Sequence, residues 1–225
     1  MKTQCRPTYV ICLLALFWHG NKGVQSNKTE QHDKEEFVRK LIGGQQRLII
    51  SKSIYFRYDY PICVESHLIL HSEAGYRHNL FYFDKKKKEQ KIQGKRIERN
   101  TYMHLRARKK VPLLVVNAFM GDNKTDPKVS GRFDIFFANK ICFVVGTHQG
   151  AASKMEGYID NRPAGDSACL LWRRDIVPKE ERAPCRVAFN KFCRKFQGYR
   201  FTYTKEACGV ANNPNEYFTT PQKVN

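Results

Sequence analysis

Residues 168–196 read ACLLWRRDIVPKEERAPCRVAFNKFCRKF, and this stretch decides the fold. Residues 168–173 read as a strand, and the charged residues after them as a turn. Pro184 suits a first helical position. Val187, Phe189, Phe192 and Phe196 then recur near helical spacing up to Gly198. The stretch is therefore strand, turn and amphipathic helix, and it carries Cys169, Cys185 and Cys193. The last two are eight residues apart, ~12 Å along a helix, which is too far for one disulfide. If the helix forms, each of them bonds elsewhere.

Upstream, strand patterns dominate. Residues 47–58, 62–71, 79–83, 102–108, 113–119, 132–138 and 141–146 are rich in β-branched and aromatic residues or alternate in polarity. Turn clusters separate them, at residues 73–75, 121–123 and 161–165. With residues 168–173 this makes about eight strands at short spacing, the pattern of a sandwich or barrel. Residues 33–42 read as a short helix, with Asp33 as cap, Glu36 at the capping-box position and Gly43-Gly44 as the stop. Residues 199–204 form a last extended segment before Cys208. There is no internal repeat and no linker, so one domain is expected. Its class is all-β: a closed, eight-stranded antiparallel barrel with a short N-terminal helix, a late helix and disulfide staples. Barrels of eight strands can hold one small ligand.

The first residues are read as leader rather than fold. Lys2 and Arg6 precede the apolar run from Tyr9 to Trp18, and Val24 and Ser26 suit the −3 and −1 positions of a cleavage site. The expected division is residues 1–26 as signal peptide and residues 27–225 as the domain. No later segment is apolar enough to span a bilayer. The expected product is a secreted, extracellular, soluble monomer. Processing removes Cys5 and Cys12 and leaves Cys63, Cys142, Cys169, Cys185, Cys193 and Cys208. An even number without a C-x-x-C pair argues for disulfides over a metal site, and six cysteines allow fifteen pairings.

The chain has 40 Lys and Arg against 21 Asp and Glu. Removing Lys2, Arg6 and Lys22 with the leader leaves 37 against 21, a net charge of +16. Such a surface attracts anions. Glycosaminoglycan, phospholipid head groups or an acidic protein are the partner classes it suits, plain solubility is the alternative reading, and the extracellular reading makes nucleic acid the least expected partner. Lys85, Lys86, Lys87 and Lys88 form the densest run, read either as a solvated hairpin loop or as an anionic-surface site. Asn27 and Asn123 head N-x-T sequons and are candidate glycosylation sites.

An ordered set of residues resembles the tick salivary lipocalins, including the histamine-binding proteins. It comprises Phe133-x-Ile135-x-Phe137-Ala138-Asn139-x-x-Cys142-x-Val144, Cys169-x-Leu171-Trp172, Pro184-Cys185-x-x-x-Phe189-x-x-x-Cys193 and Cys208, with Cys63 after an aromatic strand. Residues 70–130 carry no part of it. The resemblance implies a lipocalin-like ligand-binding barrel with the C-terminal helix packed on its side. It also implies a Cys142–Cys169 bridge and a bridge from Cys63 to Cys193 or Cys185, with the remaining helical cysteine on Cys208.

The resemblance further implies capture of a small mediator, a biogenic amine or a lipid. Amine binders of the family are similar to one another in an acidic residue two before the Trp, where this chain has Leu170. Near Cys142 it has Asn139 and Lys140. Asp59, Glu65 or Glu98 would have to substitute, because a dry pocket holds a cation only beside carboxylates or aromatic faces. An acidic lipid such as a leukotriene, thromboxane or fatty acid fits these residues better. Tyr102, His104, Arg106 and Arg108 share one face of an alternating strand, opposite Met103, Leu105 and Ala107. Turned inward, the polar face would hold a carboxylate. Turned outward, it is a solvated face, the arrangement expected of an apolar interior. Tyr58, Phe137, Leu170 and Trp172 complete the candidate ligand contacts. No H-E-x-x-H, G-x-S-x-G or Gly-rich phosphate loop occurs. The expectation is a binding protein without catalysis, cofactor or metal.

Overall fold

The computed structural model describes residues 22–84, 94–108, 111–121, 124–147 and 168–209, with side chains from residue 29 onward. Helix α1 spans Lys22–Ile42. Eight strands follow: β1 Leu48–Tyr55, β2 Pro61–Ser72, β3 Gly75–Asp84, β4 Arg96–Arg106, β5 Leu113–Phe119, β6 Gly131–Ala138, β7 Cys142–Thr147 and β8 Ala168–Arg174. Helix α2 is Ala183–Phe192, flanked by single turns at Glu180–Arg182 and Cys193–Lys195. Strand β9, Tyr199–Thr202, and the short helix α3, Lys205–Gly209, end the described chain. None of the described helices is long and apolar enough to cross a membrane.

Each strand from β2 to β8 pairs antiparallel with the next. β1 pairs with β8 along its length and with β2 at Leu48–Ser66 and Ile49–Glu65. The result is a closed eight-stranded up-and-down barrel, the architecture of lipocalins. Past Ile49, β1 and β2 part. Cys63 has φ 53, a left-handed backbone uncommon for a residue with a Cβ, and the β2–β3 register shifts between Ile62 and Glu65. β9 occupies the edge of β1 freed there, with Lys52 to Tyr55 opposite Thr202 to Tyr199. It enters at Gly198, φ 134, where a Cβ would lie 2.1 Å from the Tyr55 carbonyl oxygen, so only glycine fits. The seam is also held by polar groups. Glu65 accepts hydrogen bonds from Arg47 (3.1 Å) and Tyr203 (2.8 Å), and Arg47 also pairs with Asp175.

Helix α1 is longer than the sequence pattern implies. It starts at Lys22 rather than Asp33, across the expected leader boundary. Asp33 does not cap because i,i+4 pairs run through it: Glu30–Lys34, Glu35–Arg39 and Glu36–Lys40, at 2.5–2.7 Å. Each has the acid N-terminal to the base, the stabilising order. At its C-terminal end Val38, Leu41 and Ile42 join the barrel interior, packed in one cluster with Tyr82, Met103, Phe143 and Trp172. Trp172 stacks on Phe143 at 6.1 Å.

A second cluster lies outside the barrel, between α2 and the outer face of β7 and β8. It explains why β8 is buried on both faces: Leu170 and Trp172 point in, while Cys169 and Leu171 point under the helix. The three bridges are Cys63–Cys208, Cys142–Cys185 and Cys169–Cys193. The pairings implied by the resemblance are thus corrected, and register gives the reason. Cys142 faces Arg173 and Gly146 faces Cys169. Cys142 and Cys169 are therefore four residues apart along the strands, roughly 13 Å, beyond disulfide reach. That spacing matches the ~12 Å between Cys185 and Cys193 on the helix, so each helical cysteine meets one strand cysteine. Cys208 is left for Cys63.

His78 is 1% exposed. Its Nδ1 is 2.9 Å from the Ser66 hydroxyl. Its Nε2 has no partner of good geometry, although the nearby Ile42 backbone partly favours the charged form. Burial dominates and lowers the pKa to about 4. The neutral ring therefore contributes stability that is complete above the unfolded value near 6.5 and lost as pH falls toward 4. Denaturant unfolding at pH 7 and pH 4.5 should differ by about 2 kcal/mol from this group, a difference removed in His78→Gln. An unchanged difference in the variant would assign the acid sensitivity elsewhere.

Candidate functional site

The β1–β2 and β5–β6 connections meet at the end of the barrel opposite the β6–β7 turn, and a cavity opens between them. Its volume is about 50 Å³. Ile50, Tyr55, Tyr60, Leu80, Phe133 and Leu170 supply apolar lining. Tyr55 and Tyr60 stack at 5.2 Å, and Tyr199 stacks on Tyr60 at 6.0 Å. Burial, partly offset by the nearby Ser53 hydroxyl, pushes the Tyr55 phenol well above its ordinary pKa. It stays a neutral, apolar-bodied wall.

Among the described residues the charged side chains lining the cavity are Arg57 and Lys128. Both are held by carboxylates at the rim. Arg57 donates twice to Asp59, at 2.9 and 2.8 Å. Lys128 pairs with Asp84 and lies 3.4 Å from Asp59. The Arg57 hydrogen bonds, against some desolvation and aided by Lys128, hold the Asp59 carboxyl below its usual range. These contacts tie the β1–β2 loop to the β5–β6 turn and to the end of β3.

The β5–β6 turn is itself anchored on one buried acid. Asp126 is 1% exposed. It accepts from the Tyr82 hydroxyl (2.5 Å), from Arg99 Nε (2.7 Å) and from the Lys128 amide (3.0 Å). Its own amide donates to the Ala118 carbonyl, and its carbonyl accepts from Ser130 N. Burial and the adjacent carboxylate push the Tyr82 phenol up. The residues from Pro127 to Gly131 that line the cavity hang from this anchor.

Of the residues singled out in the sequence, Leu170 lines the cavity. Trp172 is interior core beneath it, stacked on Phe143 and absent from the lining. Tyr58 is half-exposed in the β1–β2 loop, because β1 ends at Tyr55. Phe137 packs outside the barrel against the α2 cluster, since a register shift between Ile135 and Phe137 turns it outward. Tyr102, His104 and Arg106 lie on the outer wall: Thr101 and Met103 are the buried, inward residues of β4. Arg108 lies exposed past the end of β4. Of the two orientations the outward, solvated polar face is the one formed, for the alternation places the apolar side in the core, and Tyr102, His104, Arg106 and Arg108 are corrected as ligand contacts. Of the substitute carboxylates, Asp59 stands at the rim, Glu65 is consumed in the seam and Glu98 is exposed outside. Lys85, Lys86, Lys87, Lys88 and Asn123 lie outside the described residues, as does the Asn27 side chain. Sequence reasoning missed Arg57, Lys128 and Asp126. The Pro127 turn was a usable signal, but nothing local showed that it folds over the barrel mouth.

No family model matches the chain, and no curated protein matches it. Among solved structures it is similar to Japanin from Rhipicephalus appendiculatus bound to cholesterol, with a TM-score of 0.40 and 14% sequence identity, over 72% of this chain and 93% of that one.

Proposed function

We propose that this chain is a secreted, monomeric binding protein that captures a small ligand with an apolar body and an acidic head at the open end of its barrel. One observation carries the reading: among the described residues the charged groups lining the cavity are both cations, Arg57 and Lys128. Leu170 lies below them where the amine binders of the tick salivary lipocalins, which the sequence resembles, have an acid. Among the described residues a histamine cation would meet no lining carboxylate that is not already paired with Arg57 or Lys128. A ligand carboxylate would take the place of Asp59 on Lys128, and Asp59 would keep its pair with Arg57, so binding strands no charge. In a secreted protein such capture sequesters an inflammatory or haemostatic mediator of a host without turnover, and three disulfides suit an oxidising compartment.

The test is native mass spectrometry and calorimetry with arachidonate, leukotriene and histamine. The expected result is one lipid per chain, weakened about tenfold in Arg57→Gln/Lys128→Gln by loss of charge-assisted hydrogen bonds. Histamine binding without lipid uptake reverses the assignment.

A second reading is favoured by the cavity volume. About 50 Å³ is small beside the ~300–1,000 Å³ of pockets that take drug-sized ligands. A lipid would therefore have to open the rim. If neither ligand class binds, the barrel is a scaffold and its surface is the functional part.

A further inference from the structure

The outer face of α2 and β9 concentrates cations that the fold leaves without acidic partners. From Ala183 to Lys205 the chain has six basic residues and no acid: Arg186, Lys191, Arg194, Lys195, Arg200 and Lys205. The inner side of α2 gives Cys185, Ala188, Phe189 and Cys193 to the barrel wall. The outer side exposes Arg186, Lys191, Arg194 and Lys195. Arg200 on β9 faces Ile54, whose side chain lies in the cluster under α2. Paired residues point to the same side of a sheet, so Arg200 extends the same wall.

Around the cavity and the β1–β2 seam the fold pairs its cations: Arg47 with Glu65 and Asp175, Arg99 with Asp126, Lys128 with Asp59 and Asp84. Among the described residues no carboxylate forms an ion pair with Arg186, Arg194, Lys195 or Arg200. Lys191 sits 5.3 Å over the Phe192 ring and is felt by Glu30. Helix stability does not account for the stripe. The macrodipole favours Arg194 and Lys195 at the C-terminal end but disfavours Arg186 in the first turn, which has no acid of its own, Glu180 and Glu181 lying in the turn before it.

We propose that this face is a docking surface for a linear sulfated polysaccharide of the glycosaminoglycan class. From Arg186 to Arg194 the stripe runs ~12 Å, which suits a polymer with regularly spaced anions. The two bridges to β7 and β8 hold the helix rigid, so little ordering opposes binding. A bilayer is the less suited anion. Interfacial helices bury large apolar side chains in the membrane, whereas here the phenylalanines turn to the barrel and Val187 is the large apolar side chain that α2 exposes. The surface is separate from the cavity and binds whether or not the cavity is filled.

The test titrates the full secreted chain with a heparin decasaccharide at 50–300 mM NaCl. One variant is R186Q/K191Q/R194Q/K195Q. The control K95Q/R106Q/K124Q/R132Q removes the same charge from exposed positions on other walls. The α2 variant is expected to bind about tenfold or more weakly at 150 mM NaCl with a flatter salt dependence, because phosphate- or sulfate-type contacts set that slope. The control should lose less than about threefold, the effect of net charge alone. Equal losses in both variants, or no loss in the α2 variant, overturn the proposal. So does loss of binding to phosphatidylserine vesicles in the α2 variant while heparin binding is kept.

Discussion

Replacing Cys63 and Cys208 together by alanine is expected to lower folding stability by about 5 kcal/mol, the largest loss of the three bridges, from the loop-closure entropy restored to the unfolded chain. The ordering follows from sequence separation, which is 145 residues for this bridge, 43 for Cys142–Cys185 and 24 for Cys169–Cys193. The same relation gives about 4 and about 3.5 kcal/mol for the other two. The structure adds a native-state reason for the ranking. Cys63 sits at the left-handed kink where β2 leaves β1, and Cys208 follows the strand that fills the gap. Without the bridge β9 keeps only a four-residue ladder, so its amides should also exchange faster. Urea unfolding of the three paired variants checks the order. A smaller loss for Cys63/Cys208 than for Cys169/Cys193 would show that helix packing, not loop closure, dominates.

Asp126→Ala is expected to cost about 3 kcal/mol, in the range for removing one partner of a buried charge. The substitution leaves the Arg99 guanidinium without its carboxylate and the Tyr82 hydroxyl without its acceptor. It also frees the turn from Pro127 to Gly131, so Lys128 loses its fixed place at the mouth. Asp126→Asn retains acceptor geometry and should lose about half as much. Hydrogen exchange should show the β5–β6 turn opening in the alanine variant before the rest of the barrel. A loss under about 1 kcal/mol would mean that water replaces the carboxylate, which a site this buried should not permit.

The strands were legible because period-two alternation survives wherever one face meets solvent. β4 shows this: inward Met103 against outward Tyr102 and His104. In β7 and β8 both faces are covered, so alternation gives way to apolar runs, and which residue points in could not be read. Leu170 was legible as a site residue through the resemblance. Arg57 and Lys128 were not, because neither belongs to a periodic segment. They line the cavity only because two loops distant in sequence close over it.

The opening stretch, 168–196, specified by itself a strand, a turn and a helix, and it forbade a bridge between Cys185 and Cys193. Those conclusions follow from local geometry: rise per residue, capping residues and spacing. Which strand cysteine each helical cysteine meets was decided by the β7–β8 register, a non-local pairing that no local pattern encodes. The same holds for the mouth. The sequence supplied a basic chain with an apolar core, and tertiary structure chose which cations line a cavity, which are neutralised and which stand unpaired along α2.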